Sequence, residues 1–310
     1  MPILIAERDH LRYAALFREA QPALDILASD DPAELARLAT DCPIWLGQPD
    51  LLAGLLRRGG KPAWVQSTWA GITPLLAPGL PRDYRLSRAV GIFGQVMAEY
   101  VLTYLLNHER EVLARLTSQA VRQWNNRAPH SLAGRRVLIV GCGDIGQSVA
   151  RFLAPFGIEL FGIARQPRVL APFREVAGME ALGRLVGEVD YLINLLPDTP
   201  ATQDIYDAAL FARCKPSALF INAGRGVAVV DADLVAALKD GHLAGAVVDV
   251  CRQEPLPPRH PFWTAYGLLL TGHSSAPTDP ALMARLFLDN LERYRAGEAL
   301  RGEVEFARGY

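Results

Sequence analysis

Residues 135–157, RRVLIVGCGDIGQSVARFLAPFG, constrain the fold of this chain more than any other stretch. Val137-Leu138-Ile139-Val140 is a short, β-branched apolar run, the pattern of a strand buried on both faces of a parallel sheet. Gly141-Cys142-Gly143-Asp144-Ile145-Gly146 follows at once, then apolar residues at helical spacing (Val149, Phe152, Leu153, Phe156), and Gly157 closes the helix. Strand, glycine turn and helix in this order suit the pyrophosphate of a dinucleotide. Gly141 permits the tight turn, Gly143 lets the backbone approach the phosphates, and Gly146 lets helix and strand pack closely; the helix N-terminus, at Asp144 and Ile145, offers N–H groups to the anion. The stretch therefore predicts a βα unit with Gly141, Gly143, Asp144, Ile145 and Gly146 at a nicotinamide cofactor.

The remainder of the chain alternates in the same way. Strands are expected at 3–6, 24–28, 44–46 and 64–66, with helices at 11–20, 32–39 (capped by Asp30 or Asp31) and 50–58 (capped) between them. That alternation means a parallel sheet with helices on both faces. A long amphipathic helix is expected from Gln95 through Leu106 and past Arg110, leading through a loop at 124–131 to the glycine-turn unit. Beyond it lie strands at 159–164, 191–195, 218–222, 246–250 and 268–271, and a last helix at 280–296. Two α/β domains fit 310 residues of which 50% are hydrophobic and 21% charged.

A net charge of -1 gives no electrostatic footprint for nucleic acid or for an anionic membrane. Cys42, Cys142, Cys214 and Cys251 are far apart, without the pairing of a zinc or dithiol site, and read as reduced thiols in a cytoplasm. No metal is expected. The N-terminus lacks the pattern of an export signal, and no apolar run reaches membrane-spanning length.

Ligands of parallel sheets bind beyond the carboxyl ends of strands. On that rule Trp45, at the end of the third strand, and Trp69, Ala70 and Gly71, after the fourth, are candidates for a substrate pocket; the small residues of the Ser67–Gly71 turn leave N–H groups for a carboxylate. The end of the second strand of the cofactor domain reads Ala164-Arg165-Gln166-Pro167-Arg168. An NAD site usually carries a carboxylate there, about 20 residues after the glycines. A guanidinium suits a ribose phosphate instead, so Arg165 favours NADP (NADPH), with NAD still possible.

Three further segments, Asn222-Ala223-Gly224-Arg225-Gly226, Val248-Asp249-Val250-Cys251-Arg252-Gln253-Glu254-Pro255-Leu256-Pro257 and Gly272-His273-Ser274-Ser275-Ala276, carry a family likeness. In their order, and with the Ser67–Gly71 turn and Met97-Ala98-Glu99-Tyr100, the chain resembles the D-isomer-specific 2-hydroxyacid dehydrogenases over nearly its whole length. Within that family, the 88–100 stretch and Ala164-Arg165 are most similar to NADPH-preferring glyoxylate/hydroxypyruvate reductases. The resemblance implies a Rossmann-type dinucleotide-binding domain (98–275) inserted into a flavodoxin-like, split substrate-binding domain (1–97 and 276–310). It implies an active site in the cleft between the domains, a small 2-keto or 2-hydroxy acid as substrate, and a homodimer.

It also implies that Arg225, Glu254 and His273 are catalytic, and the chemistry accounts for the three. Hydride addition to a 2-keto acid builds negative charge on the carbonyl oxygen, which must be stabilised and protonated. Arg225 can hold the carboxylate and that oxygen, His273 can supply the proton, and Glu254 can orient the imidazole and favour its charged form. By the same resemblance Asp249 contacts the nicotinamide carboxamide, and Leu196, Pro197 and Ala223 lie along the cofactor. His242 and His260 match no motif and read as surface residues. The chain departs from the family at Cys251-Arg252, where an aromatic residue with an acidic neighbour is usual, and at Gly272, where proline commonly precedes the histidine. A bulkier keto acid, or an NAD(P)H-sensing corepressor-like role, is the alternative reading.

Overall fold

The computed structural model describes residues 1–309 and divides them into two compact units, 1–92 with 278–309, and 93–277. The boundaries differ from those expected at 97/98 and 275/276 because of the long helix. Its buried face, Met97, Ala98, Val101 and Leu105, packs with Val137, Ile139 and Val149 of the glycine-turn unit, so the whole helix belongs to the inserted unit.

The first unit runs β1 (Ile3–Ala6), α1 (His10–Ala20), β2 (Ile26–Ser29), α2 (Pro32–Leu38), β3 (Ile44–Gly47), α3 (Pro49–Arg57), β4 (Trp64–Ser67) and β5 (Arg85–Ser87). The strands form one parallel sheet in the order β2-β1-β3-β4-β5, the flavodoxin-like arrangement. Strands β1, β3 and β4 are buried at every position, which is why they read as short apolar runs rather than alternating ones. Asp31 is the cap of α2, accepting from the N–H groups of Ala33 (3.0 Å) and Glu34 (2.7 Å), with Pro32 opening the helix. Helix α3 starts one residue earlier than expected, at Pro49, so Asp50 lies in its first turn and favours the helix through the dipole rather than as the cap.

The second unit runs α4 (Gly94–Arg110), α5 (Val112–Ala120), β6 (Arg136–Val140), α6 (Asp144–Leu153), β7 (Glu159–Ile163), β8 (Glu175–Ala177), α7 (Leu182–Leu185), β9 (Tyr191–Asn194), α8 (Ala208–Phe211), β10 (Leu219–Asn222), α9 (Asp231–Lys239), β11 (Gly245–Val248) and β12 (Leu268–Leu270). The expected single long helix is broken at Glu111, whose left-handed backbone (φ 52°) ends α4 and begins α5. The seven strands are all parallel, in the order β12-β11-β10-β9-β6-β7-β8. This is the Rossmann order with one more strand. Strand order reverses between β6 and β9, and ligands of such sheets bind in the crevice beyond the strand ends at that point.

The chain returns to the first unit through α10 (Pro280–Ala296), capped by Asp279 and closed by Gly297 at φ 72°. Trp64 of β4 stacks on Phe287 and Tyr294 of this helix at 5.1 and 5.2 Å. Below the stack, buried Asn290 donates to Gln66 Oε1 (2.8 Å) and to the Arg301 carbonyl (3.0 Å), and accepts from the Arg301 N–H (2.7 Å). Replacing it with leucine removes all three bonds, two of them to the Arg301 backbone, from a site where Asn290 is fully buried. Asn290→Leu is expected to cost about 3 kcal/mol, read as a lower urea midpoint for the full chain; an unchanged midpoint would show the network to be dispensable. Among the described residues no helix is long and apolar enough to cross a membrane.

Candidate active site

The glycine turn after β6 has the shape a bound pyrophosphate requires. Gly141 has φ 111°, and a Cβ there would meet the Leu195 carbonyl at 2.8 Å. At Gly146 a Cβ would fall 2.1 Å from the Gly141 carbonyl, so helix and turn meet backbone to backbone. Gly143 faces open space, with no atom within 4 Å of the Cβ position, and no side chain caps α6 behind it. A cradle that a side chain would fill, at an uncapped helix start, fits a dinucleotide phosphate. Burial pushes the Cys142 thiol up to about 12, so the cysteine in the turn stays protonated and unreactive.

Arg165 and Arg168 follow β7 in an exposed loop. Arg168 Nη2 donates to the Cys142 carbonyl at 2.7 Å, which brings the loop's positive charge to the glycine turn. On the other side of the turn, Leu196 and Pro197 follow β9; Leu196 is partly buried and Pro197 exposed, while Ala223 is 8% exposed after β10.

A feature not expected from the sequence organises these loops. Asn194 and Asn222 are register partners, each the last residue of its strand, and both are wholly buried. Asn194 Nδ2 donates to Asn222 Oδ1 (2.8 Å), and the Asn194 carbonyl oxygen of its side chain accepts from the Leu196 N–H (3.1 Å). Asn222 Nδ2 reaches the carbonyls of Arg225 (3.3 Å) and Val250 (3.4 Å). One amide pair thus ties the loops after β9, β10 and β11 together. The signal was present as two neighbouring strands, YLIN and LFIN, ending on the same residue.

Arg225, Glu254 and His273 are all in the second unit, on the loops after β10, β11 and β12. Arg225 is half-buried, with Nη1 donating to the Gly224 carbonyl at 2.6 Å. Glu254 Oε2 lies 2.6 Å from His273 Nδ1, and its other oxygen accepts from the Cys251 N–H at 2.8 Å. Both carboxylate oxygens are therefore used. Burial works to raise the Glu254 pKa, but the hydrogen bonds from His273 and Cys251 and the charges of His273 and Arg225 outweigh it and bring it below the usual carboxylate value. For His273 the Glu254 hydrogen bond dominates over burial and raises the imidazole above its ordinary value of 6.5. Because Nδ1 is committed to Glu254, Nε2 is the nitrogen left to exchange a proton with a substrate.

The backbone at the histidine is unusual. Gly272 and His273 both have positive φ, 67° and 56°. Proline, fixed near φ −65°, cannot take the place of Gly272 in this loop. A left-handed histidine costs about 1 kcal/mol, and Asp249 secures it. Its backbone carbonyl accepts from the His273 N–H (2.6 Å), and its carboxylate accepts from Thr271 Oγ1 (2.6 Å) and the N–H groups of Ser274 (2.8 Å) and Ser275 (3.2 Å). Asp249 is 2% exposed, so its first task is to shape the His273 loop. Tyr100 of α4 extends the chain of contacts, its hydroxyl 2.9 Å from Thr271 Oγ1.

The substrate-pocket residues expected in the first unit separate. Trp45 is 0% exposed, sits in the core of that unit, and donates its indole N–H to the Cys42 carbonyl (2.7 Å); the expectation that it walls a pocket is corrected, since no face of it reaches solvent. Trp69 is 37% exposed, and Ala70 and Gly71 are half-buried. Their turn is built on Thr68, held from one side by Glu7 Oε2 (2.7 Å from Thr68 Oγ1) and from the other by Thr278 Oγ1, which donates to the Thr68 carbonyl (3.0 Å). His242 is exposed, whereas His260 is not a plain surface residue: it caps the Pro261–Trp263 turn through Phe262 N–H (3.2 Å) and meets Asp231 at 3.3 Å.

The model of the D-isomer specific 2-hydroxyacid dehydrogenase NAD binding domain matches residues 102–275. Glyoxylate/hydroxypyruvate reductase A of Serratia proteamaculans strain 568 is 34% identical over 288 residues, 91% of this chain and 89% of that protein. A D-isomer specific 2-hydroxyacid dehydrogenase family protein from Aeromonas salmonicida superposes with TM-score 0.93 at 36% identity, over 98% of this chain and 99% of the other. An NADPH-dependent glyoxylate/hydroxypyruvate reductase from Sinorhizobium meliloti, solved with NADP and sulfate, superposes with TM-score 0.88 at 31% identity, over 100% and 99%. With a Rossmann sheet that presents a glycine cradle and an arginine, a glutamate and a histidine on successive strand ends, the chain belongs to the D-isomer-specific 2-hydroxyacid dehydrogenase family of oxidoreductases.

Proposed function

We propose that this protein uses NADPH to reduce a small 2-keto acid, glyoxylate or hydroxypyruvate, to the D-2-hydroxy acid. The observation that carries the reading is the 2.6 Å contact between Glu254 and His273 Nδ1, which favours the protonated imidazole and leaves Nε2 free of that bond. The nicotinamide cofactor, when bound, supplies the hydride. Gly141, Gly143, Asp144, Ile145 and Gly146 would hold its pyrophosphate, and Leu196, Pro197, Ala223 and Asp249 would contact the rest of it. His273 then gives its proton to the carbonyl oxygen, while the Arg225 fork holds the substrate carboxylate and that same oxygen. Within the first unit, the Trp69-Ala70-Gly71 turn offers backbone groups to a carboxylate: no hydrogen bond among the described residues uses the Ala70 or Gly71 N–H. A homodimer belongs to this reading, supported by exposed Leu113 and Leu116 on α5 and by Trp124 beyond it, 91% exposed. The named activities of the Serratia and Sinorhizobium relatives support the choice of substrate.

Chiral chromatography of the product from hydroxypyruvate tests the reaction: D-glycerate is expected, and L-glycerate or no glycerate would contradict it. The cofactor preference rests on Arg165 together with the NADPH dependence of the Sinorhizobium relative. Arg165→Ala is expected to raise KM for NADPH about tenfold, the worth of one charge-assisted contact, with little change for NADH; equal effects on both would remove the phosphate contact.

Acidity of His273 makes a further prediction. Reduction needs the imidazolium, and the Glu254 bond raises its pKa, so the midpoint of the fall in rate is expected above pH 6.5. Glu254→Gln removes the carboxylate charge, and the falling limb of the pH–kcat/KM profile moves down toward that of an ordinary histidine. A limb that stays in place would show that Glu254 does not tune His273.

A further inference from the structure

Arg252 lies on the loop after β11, and its guanidinium joins three segments. Nη2 donates to Asp204 Oδ1 (2.5 Å), to the Val227 carbonyl (3.1 Å) and, at short range, to the Val229 carbonyl. Val227 and Val229 lie just beyond Arg225, while Arg252 lies two residues before Glu254. The two loops are already in backbone contact: a Cβ at Gly226 would fall 1.9 Å from the Cys251 carbonyl carbon and 2.3 Å from the Arg252 nitrogen. An exposed ion pair to Asp204, whose side chain is 58% exposed, contributes little alone. Two backbone carbonyls on a rigid fork fix geometry instead.

We propose that Arg252 is a positioning residue: it pins the Cys251–Glu254 turn to the chain that carries Arg225 and so holds the Glu254 carboxylate against His273. Cys251 and Leu256 anchor the two ends of the turn against the core, while Arg252, Gln253, Glu254 and Pro255 between them are all exposed. Inside the turn, the Cys251 N–H bond to Glu254 keeps the carboxylate in place only if the turn itself is held. The effect on turnover rests on the keto-acid reductase reading; the effect on His273 does not.

The sign of the effect separates this role from plain electrostatics. The charged groups that face His273 are Glu254, Arg225 and Asp249. Around Arg252 stand Asp204 and, from α9, Asp231, which pairs with His260. Removing a nearby cation by itself raises a histidine pKa, whereas loosening the Glu254 contact lowers it. The test is therefore an NMR titration of the imidazole C–H resonances in the full chain without cofactor, with His273 assigned by its loss in His273→Gln. In Arg252→Met the His273 midpoint is expected to fall by about one pH unit, and kcat for keto-acid reduction about tenfold, with the Kd for NADPH unchanged. Arg252→Lys, which keeps one charged nitrogen but on a shorter and more flexible side chain, falls between. An unchanged or raised midpoint in folded Arg252→Met overturns the proposal. Should that variant fail to fold, Arg252→Gln, which also removes the cation, is expected to lower the midpoint as well; an unchanged or raised midpoint there overturns the proposal too. Wild-type protein that reduces no keto acid would sink the reductase reading and leave the titration result standing.

Discussion

On the proposed keto-acid reduction, Arg225→Ala is expected to lower kcat/KM about a thousandfold, a loss of about 4 kcal/mol of transition-state stabilisation, while NADPH binding persists. The size follows from what the guanidinium does. Charge develops on the carbonyl oxygen as hydride arrives, and a fixed cationic donor interacts with that oxygen more strongly in the transition state than in the ground state. The fork is held in place: the Asn222 amide grips the Arg225 carbonyl, and Nη1 rests on Gly224. Arg225→Lys is expected to recover only a small part of the loss, because one ammonium cannot meet carboxylate and carbonyl at once. Steady-state rates for the two variants, with cofactor affinity from fluorescence titration, check this. Comparable turnover in wild type and Arg225→Ala would remove Arg225 from the reaction.

His273→Gln lowers kcat by about three orders of magnitude, within the range of a lost general acid, with little change in substrate KM. Glutamine retains an amide that can meet Glu254 but cannot release a proton. The loss is in chemistry rather than binding, so a primary deuterium isotope effect with the deuterated cofactor should approach its full value in the variant. The pH limb assigned to His273 should disappear with it. A variant that keeps both rate and limb would place the proton donor elsewhere.

Much of this was readable from residues. The buried strands announced themselves as short apolar runs because parallel sheets hide both faces, and the glycine turn was legible because Gly141 and Gly146 have no alternative where the backbones meet. The roles given to Arg225, Glu254 and His273 came from the family resemblance of the motifs that carry them, and the chemistry accounts for the three. What stayed hidden was mostly tertiary. Strands β5 and β8 have three residues each and too little pattern to register. Glu111 breaks the long helix although glutamate is a good helix former, since its left-handed turn is a matter of packing, not propensity. Trp45 looked like a pocket wall because of its place at a strand end; the buried partner of its indole, the Cys42 carbonyl, is three residues away and gives no sequence signal. Asp249 and Arg252 act through backbone groups of other loops, contacts that exist only once the sheet has brought the strand ends together.

The most direct measurement is the initial rate of NADPH and NADH oxidation by the purified protein with glyoxylate, hydroxypyruvate, pyruvate and phenylpyruvate in parallel. The proposed function predicts fast NADPH-dependent reduction of glyoxylate or hydroxypyruvate, slower reaction with phenylpyruvate, and weaker use of NADH. Tight binding of NADPH with no turnover of any of the four would contradict the account and point to a dinucleotide-sensing role or to a bulkier acid.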